Sequence, residues 1–339
     1  MPIRFGILGS GFMAATYAQC LAGHVPDGVL VAVALGSRAP ALAADHGVAL
    51  EPTAEALLGR ADVDAVIICT PHSTHLALTQ AAAAAGKHVY CEKPMARDLA
   101  ECDAMIAACK AAGVALTVNK VTRFRQVPRT VKRLLDEGAI GELRMLRITS
   151  SVEAYLPDES GWSRDPAEGG AWLDMGCHLF DAMRWFTGSE ATSVVADVRD
   201  FGGHDLRRSG MAQVRLRDGV MVQVWISFEL PSPIIGSQSH WLFVGSTGTI
   251  EADAYGSARL GRDGAWEQVD EMPWFDKDKD IHSPVRLAAF AAQVQDLARS
   301  IVEGRAPTVG GADGRAAVEL VEASLRSSAL GTAVALPLG

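Results

Sequence analysis

The stretch G6-ILGSGFMA-14, Gly6-Ile7-Leu8-Gly9-Ser10-Gly11-Phe12-Met13-Ala14, decides the fold. It follows a strand-like run, Ile3 to Leu8, and opens a helix predicted from Phe12 to Leu21. Gly9 permits a tight turn, Gly11 lets a pyrophosphate approach the backbone, and Ala14 is small where the helix must pack on the strand. The first turn of that helix offers free N–H groups and a partial positive charge to phosphates. Gly9, Ser10, Gly11, Phe12 and Met13 are therefore the expected cradle of a dinucleotide.

Working outward, Val29 to Leu35, Asp64 to Thr70, Lys87 to Cys91 and Val114 to Asn119 are short apolar runs of strand length. Helix-like segments, Thr74 to Ala85 and Leu99 to Ala111, lie between them. Strands apolar on both faces and separated by helices indicate a doubly wound α/β sheet covered on two sides. The pattern changes after Thr122. A helix near Val127 to Glu137, a second from Gly170 to Phe186, several strands between Thr192 and Val269, and closing helices follow. Val220, Val222, Val224 and Ile226 alternate with Met221, Gln223, Trp225 and Ser227, which suits a sheet with two unlike faces. We read residues 1–122 as a dinucleotide-binding domain and 123–339 as a substrate-binding and oligomerisation domain.

The 339 residues carry 31 Lys plus Arg against 40 Asp plus Glu, a net charge of -9. That balance is poorly suited to nonspecific nucleic-acid binding, and no nucleic-acid partner is expected. No apolar run approaches the ~18 residues of a membrane span, and the opening Met1 to Gly6 has no leader-like apolar region. Cys20, Cys69, Cys91, Cys102, Cys109 and Cys177 include no C-x-x-C pair. They read as reduced packing residues of a cytoplasmic protein.

An NAD site usually carries an acidic residue after its second strand, bonding the ribose. Here the strand runs into Gly36, Ser37 and Arg38, a hydroxyl and a guanidinium suited to a 2′-phosphate. The reading favours NADP(H) over NAD(H). The competing role for Ser37 is to cap the next helix. Further on, "CEKP" ends a strand in Glu92, Lys93 and Pro94, at the sheet edge where α/β proteins bind ligands. In "EGGAWLDMGCHLFDAMRWFTG", Asp174, His178, Asp181 and Trp185 share one helix face, and Gly169 and Gly170 admit a ligand or backbone closely. Cys177 points to another face, so no metal site is expected.

Together, Gly9-x-Gly11, Glu92-Lys93-Pro94 and the Gly-Gly-x-x-x-Asp174-x-x-x-His178 run resemble the glucose-fructose oxidoreductase/inositol dehydrogenase (Gfo/Idh/MocA) family. The resemblance extends to the ending "APTVGGADGRAAVELVEASLRSSALGTAVALP". It implies a Rossmann domain followed by an α/β domain with a large, open, mostly antiparallel sheet, which serves such proteins as the interface of a homodimer or homotetramer. It implies Lys93, Asp174 and His178 as the catalytic group, with Glu92 placing Lys93. Thr70, Pro71 and His75 match the family's pattern beside the cofactor, and His72 stands where asparagine is usual. Asn119 is expected near the cofactor, and Arg123, Tyr155 and Trp162 near the substrate, with Glu153 and Arg164 as further candidates.

The implied reaction is hydride transfer between a nicotinamide and a secondary alcohol or ketone of a sugar, inositol or related polyol. His178 would be general base, Lys93 hydrogen-bond donor to the developing alkoxide, and Asp174 the group that orients them. Two rivals stay open at this point. One is a glycosidase of the same superfamily that retains NAD, and the other a non-catalytic sensor on the same fold.

Overall fold

The computed structural model describes residues 1–153, 161–233, 239–276, 280 and 282–338. The chain divides into two compact units, Met1–Phe124 with Phe275–Arg315, and Arg125–Trp274 with Ala316–Gly339.

The first unit opens with β1 (Ile3–Leu8), α1 (Phe12–Leu21), β2 (Gly28–Ala34), α2 (Ala39–His46), β3 (Ala49–Glu51) and α3 (Ala54–Leu58). It continues with β4 (Ala65–Ile68), α4 (His75–Ala84), β5 (His88–Cys91), α5 (Leu99–Ala112) and β6 (Leu116–Val118). The strands pair in parallel in the order β3-β2-β1-β4-β5-β6. Phe5, Ile7, Ile67 and Val89 are fully buried, as strands covered on both faces require. The strand order reverses between β1 and β4, the switch point at which such sheets bind ligands. Register aligns the carboxyl ends there: Leu8 pairs with Ile68, Ile68 with Cys91, and Cys91 with Val118. Gly9, Thr70, Glu92 and Asn119 therefore all emerge from one edge of the sheet.

The second unit begins with α6 (Gln126–Asp136), β7 (Leu143–Glu153) and α7 (Gly170–Thr187). Its remaining strands are β8 (Ala191–Arg199), β9 (Ser209–Leu216), β10 (Met221–Leu230), β11 (His240–Gly245), β12 (Thr249–Asp253), β13 (Ser257–Arg262) and β14 (Ala265–Glu271). Two helices, α8 (Pro284–Glu303) and α9 (Gly311–Leu330), precede the short β15 (Val334–Ala335). Among the described residues nine strands run β14-β13-β12-β11-β7-β10-β9-β8-β15, and every pair is antiparallel except β7 with β10. On β10, Val222, Val224 and Ile226 are buried while Met221 is 57% exposed, which is the expected alternation. α7 covers the buried face, its Phe186 ring lying 5.1 Å from Trp241 and 5.0 Å from Phe243.

One segment departs from the sequence reading. The sequence pattern places everything beyond residue 122 in the second domain, but Phe275–Arg315 belongs to the first unit. Leu287, Phe290, Val294 and Leu297 of α8 join the apolar cluster of Tyr17, Leu21 and Val25. The apolar stripe of a helix shows that it is covered, not which sheet covers it. The division between the units falls within α9. Among the described residues no helix is long and apolar enough to cross a membrane.

Candidate active site

The glycine turn is built as its spacing demands. Gly9 has φ +120°, and a Cβ there would stand 2.5 Å from the Cys69 carbonyl oxygen. Only glycine lets β1 turn away so close to the end of β4. Gly11 is the N-cap of α1 and supplies no side-chain acceptor, and a Cβ on it would meet open space. No N-cap side chain takes up the first-turn N–H groups of α1, as a diphosphate cradle needs. Ala14 is fully buried. Ser10 turns inward, its Oγ accepting the Arg38 N–H at 3.2 Å, and so ties the glycine turn to the end of β2. Phe12 remains partly exposed at the helix mouth.

At the end of β2 no carboxylate is present. Leu35 and Gly36 take left-handed backbone, φ +69° and +89°, and Gly36, Ser37 and Arg38 are exposed. Arg38 is the N-cap of α2 and no side chain caps that helix, so Ser37 does not serve as its cap.

The end of β5 answers why a strand should finish in charged residues. Glu92 is only 5% exposed, and a buried carboxylate demands donors. Three groups make four hydrogen bonds to it: the Tyr17 hydroxyl at 2.5 Å on Oε1, the Asn119 amide at 2.9 and 3.0 Å on both oxygens, and the Lys93 backbone N–H at 2.9 Å on Oε2. The Tyr90 hydroxyl stands 3.1 Å from that of Tyr17. Burial, and then the charge of Glu92, push both tyrosine hydroxyls well above their ordinary range, so they stay protonated as donors. Lys93 is half-buried and the Lys93–Pro94 peptide is cis.

His75, at the first turn of α4, fastens the same loop from the other side. It is fully buried, with Nδ1 3.0 Å from the Pro94 carbonyl oxygen and Nε2 3.0 Å from that of Thr70. Burial lowers its pKa against the pull of those carbonyls, and the neutral ring donates from one nitrogen. Its contacts are thus with the backbone that carries Thr70 and Pro94. Thr70 Oγ1 meets Thr74 Oγ1 at 2.6 Å, Pro71 is half-buried and His72 is buried. Asn119 is 2% exposed and spent on Glu92. Arg123, in the first unit, pairs with Asp313 at 2.8 Å.

In the second unit α7 carries Asp174 and His178, both half-buried and one turn apart. Asp181, on the same stripe, is 1% exposed. Gly169 and Gly170 have φ +96° and +67°, and both are closely approached: a Cβ on Gly169 would meet the Leu173 side chain at 2.3 Å, and one on Gly170 would lie 2.2 Å from the Leu206 carbonyl oxygen. Tyr155 lies outside the described residues, as does the side chain of Trp162. Glu153 ends β7 and is exposed. Among the described residues no group of three or more His, Cys, Asp and Glu could hold a metal ion.

Sequence reading missed Tyr17. A tyrosine on the buried face of a helix needs a partner for its hydroxyl, and that requirement was the available signal.

The Rossmann sheet and its glycine turn define a dinucleotide-binding domain, and comparison with known proteins supplies its class. Residues 3–120 match the profile described as oxidoreductase family, NAD-binding Rossmann fold, and residues 129–251 match the GFO/IDH/MocA C-terminal domain. The chain is 36% identical over 198 residues to an inositol 2-dehydrogenase of Rhizobium meliloti, a match spanning 58% of each protein, little more than half of that relative. It is 30% identical over 360 aligned positions to inositol 2-dehydrogenase 1 of Saccharopolyspora erythraea, covering 100% of this chain and 97% of the relative. Among solved structures, the aldose-aldose oxidoreductase from Caulobacter crescentus complexed with glycerol superposes with a TM-score of 0.86 at 26% identity, covering 99% of this chain and 100% of that one. The chain belongs to the Gfo/Idh/MocA family of oxidoreductases.

Proposed function

We propose that the protein transfers hydride between NADP(H) and a secondary alcohol or ketone of a sugar, inositol or related polyol. The observation that carries this reading is the ligated end of β5. A buried glutamate held by Tyr17 and Asn119 fixes the backbone of Lys93, and His75 fixes the loop beyond it.

A bound nicotinamide dinucleotide supplies the hydride acceptor or donor. Gly9, Ser10, Gly11, Phe12 and Met13 hold its diphosphate end, with Thr70, Pro71, His72, His75, Glu92, Lys93 and Asn119 at or behind the strand edge that receives it. A carbinol carbon releases hydride only as its hydroxyl proton departs. His178 takes that proton as general base, since an imidazole titrates near working pH. The Lys93 ammonium donates a hydrogen bond to the oxygen as negative charge develops on it. Asp174, one turn before His178, orients the pair. In reverse the same groups return a proton to a carbonyl oxygen.

Support for NADP(H) is the exposed Ser37 and Arg38 and the lack of a carboxylate at the end of β2. Support for a polyol is the family, two relatives of which are named inositol 2-dehydrogenases. Arg123, Tyr155 and Trp162 are the residues assigned to it. The outward face of the nine-stranded sheet exposes Met145, Val195 and Met221, an apolar area suited to a homodimer or homotetramer contact. All six cysteines are free thiols, in keeping with a reducing, cytoplasmic setting. The test is a panel of inositols, sugars and polyols run separately with NADP and NAD, read by absorbance of the reduced nicotinamide. Turnover with one or more polyols and NADP is expected. Release of product from an aryl glycoside without nicotinamide turnover would overturn the reading.

A further inference from the structure

Between β8 and β9 the chain crosses residues 200–208, and there the buried Arg208 meets the side chains of Asp200 and Glu229, which are 5% and 11% exposed. The guanidinium of Arg208 donates from Nε and Nη2 to the two oxygens of Asp200, at 3.0 and 2.8 Å, and Nη2 lies 2.8 Å from Glu229 Oε1 on β10. Two backbone N–H groups and a hydroxyl complete the cluster. Asp200 accepts the Leu206 N–H at 2.9 Å, and Glu229 accepts the Gly202 N–H at 3.0 Å and the Ser209 hydroxyl at 2.7 Å. Gly202 leaves room for the guanidinium, since a Cβ on it would stand 2.1 Å from Arg208 Nη2.

This cluster holds a strained peptide. Asp205 and Arg207 both have left-handed backbone, φ +56° and +48°, which side-chain-bearing residues adopt at a cost. Between them Leu206 is buried, and its carbonyl accepts the Ala171 N–H at 2.9 Å. That N–H belongs to the first turn of α7, whose N-cap, Gly169, has no side chain to offer it. Gly170 is the glycine whose Cβ would occupy the place of the Leu206 carbonyl. A buried ion cluster is a poor way to add stability, because apolar side chains of like volume often hold a fold as well. What this one accomplishes is the placement of a single carbonyl at the start of α7.

We propose that loop 200–208, locked by Asp200, Arg208 and Glu229, is a positioning clamp that sets where α7 begins and therefore where Asp174 and His178 stand. This rests on the catalytic reading of those two residues. The clamp residues act through the Leu206 carbonyl on the first turn of α7, and Asp174 follows Gly170 by one turn and His178 by two.

The test compares the full-length protein with Arg208→Met, Arg208→Lys and Gly170→Ala. Gly170→Ala leaves the ion cluster whole and disturbs the start of α7 directly, by displacing the Leu206 carbonyl and by placing a Cβ at φ +67°. Arg199→Ala, an exposed residue paired with Asp197, is the control. Hydrogen exchange read by mass spectrometry should show protection over residues 171–175 falling by about tenfold in Arg208→Met and Gly170→Ala, with β9 and β10 unchanged. Arg208→Lys should recover part of the loss. The dissociation constant for NADPH should stay within about twofold of wild type, while kcat on an active polyol falls by roughly a hundredfold, as a displacement of ~1 Å produces. Protection at 171–175 equal to wild type in both variants, or loss spread evenly through β8, β9 and β10, would overturn the proposal. Exchange is read without substrate, so full turnover in His178→Ala would refute the catalytic reading while leaving the clamp measurable.

Discussion

Replacing Tyr17 with phenylalanine removes the hydroxyl that donates to Glu92 at 2.5 Å and leaves the ring and its packing in place. A hydrogen bond to a charged acceptor contributes about 1.5–3 kcal/mol, and both partners here are buried. For a unit of this size that corresponds to a fall of roughly 3–12 °C in its unfolding midpoint. The alkaline limb gives a second reading with a definite sign. Burial and the Glu92 charge raise the folded Tyr17 pKa far above that of the unfolded chain. Below pH about 10 both states hold the proton and the contribution is fully present; above it only the unfolded tyrosine ionises, and stability falls by about 1.4 kcal/mol per pH unit for each such group. Phenylalanine removes one of these groups, so its slope above pH about 10 should be shallower by that amount. The assay is thermal unfolding at neutral pH for the midpoint and urea unfolding at stepped pH for the alkaline slope, both read by circular dichroism. All seven tryptophans lie between Arg125 and Trp274, in the second unit, so their fluorescence is the internal control. An unchanged midpoint together with an unchanged alkaline slope would refute the buried Tyr17–Glu92 bond as the support of this strand end.

Two further outcomes are expected. Arg38→Ala should weaken NADPH binding by about tenfold to a hundredfold and NADH by less than about twofold, measured by isothermal titration calorimetry; equal losses for both would remove the 2′-phosphate role of Arg38. Met221→Glu should place a charge on the outward face of the sheet and lower the oligomeric state seen in sedimentation velocity, and a variant that sediments as the wild type would exclude that face as the interface.

The first unit was largely legible because its punctuation is local. Gly9 and Gly11 mark the boundary between β1 and α1, and both elements have the predicted limits. β3 and α3, of three and five residues, were not foreseen, since a period cannot be read over so few positions. Thr53, whose hydroxyl accepts the Ala56 N–H, was the one local sign of α3. Partners distant in sequence were the larger loss. Glu92 could be seen to need donors, but Tyr17 lies 75 residues away and resembles any apolar-face residue of α1. Nothing local in the sequence marks Asp200, Arg208 and Glu229 as a group, since 21 or more residues separate Glu229 from the other two and the pairing of β9 with β10 brings them together. The return of α8 to the first unit was hidden for the same reason.

The most direct measurement is the turnover of wild type, Lys93→Ala and His178→Ala with NADP and the most active polyol of the panel, alongside NADPH affinity for each. Both variants should lose about 10²–10⁴ in kcat, the usual worth of a positioned acid or base, while NADPH affinity stays within about twofold. Near-normal turnover in both variants would contradict the assignment of Lys93 and His178 to the reaction.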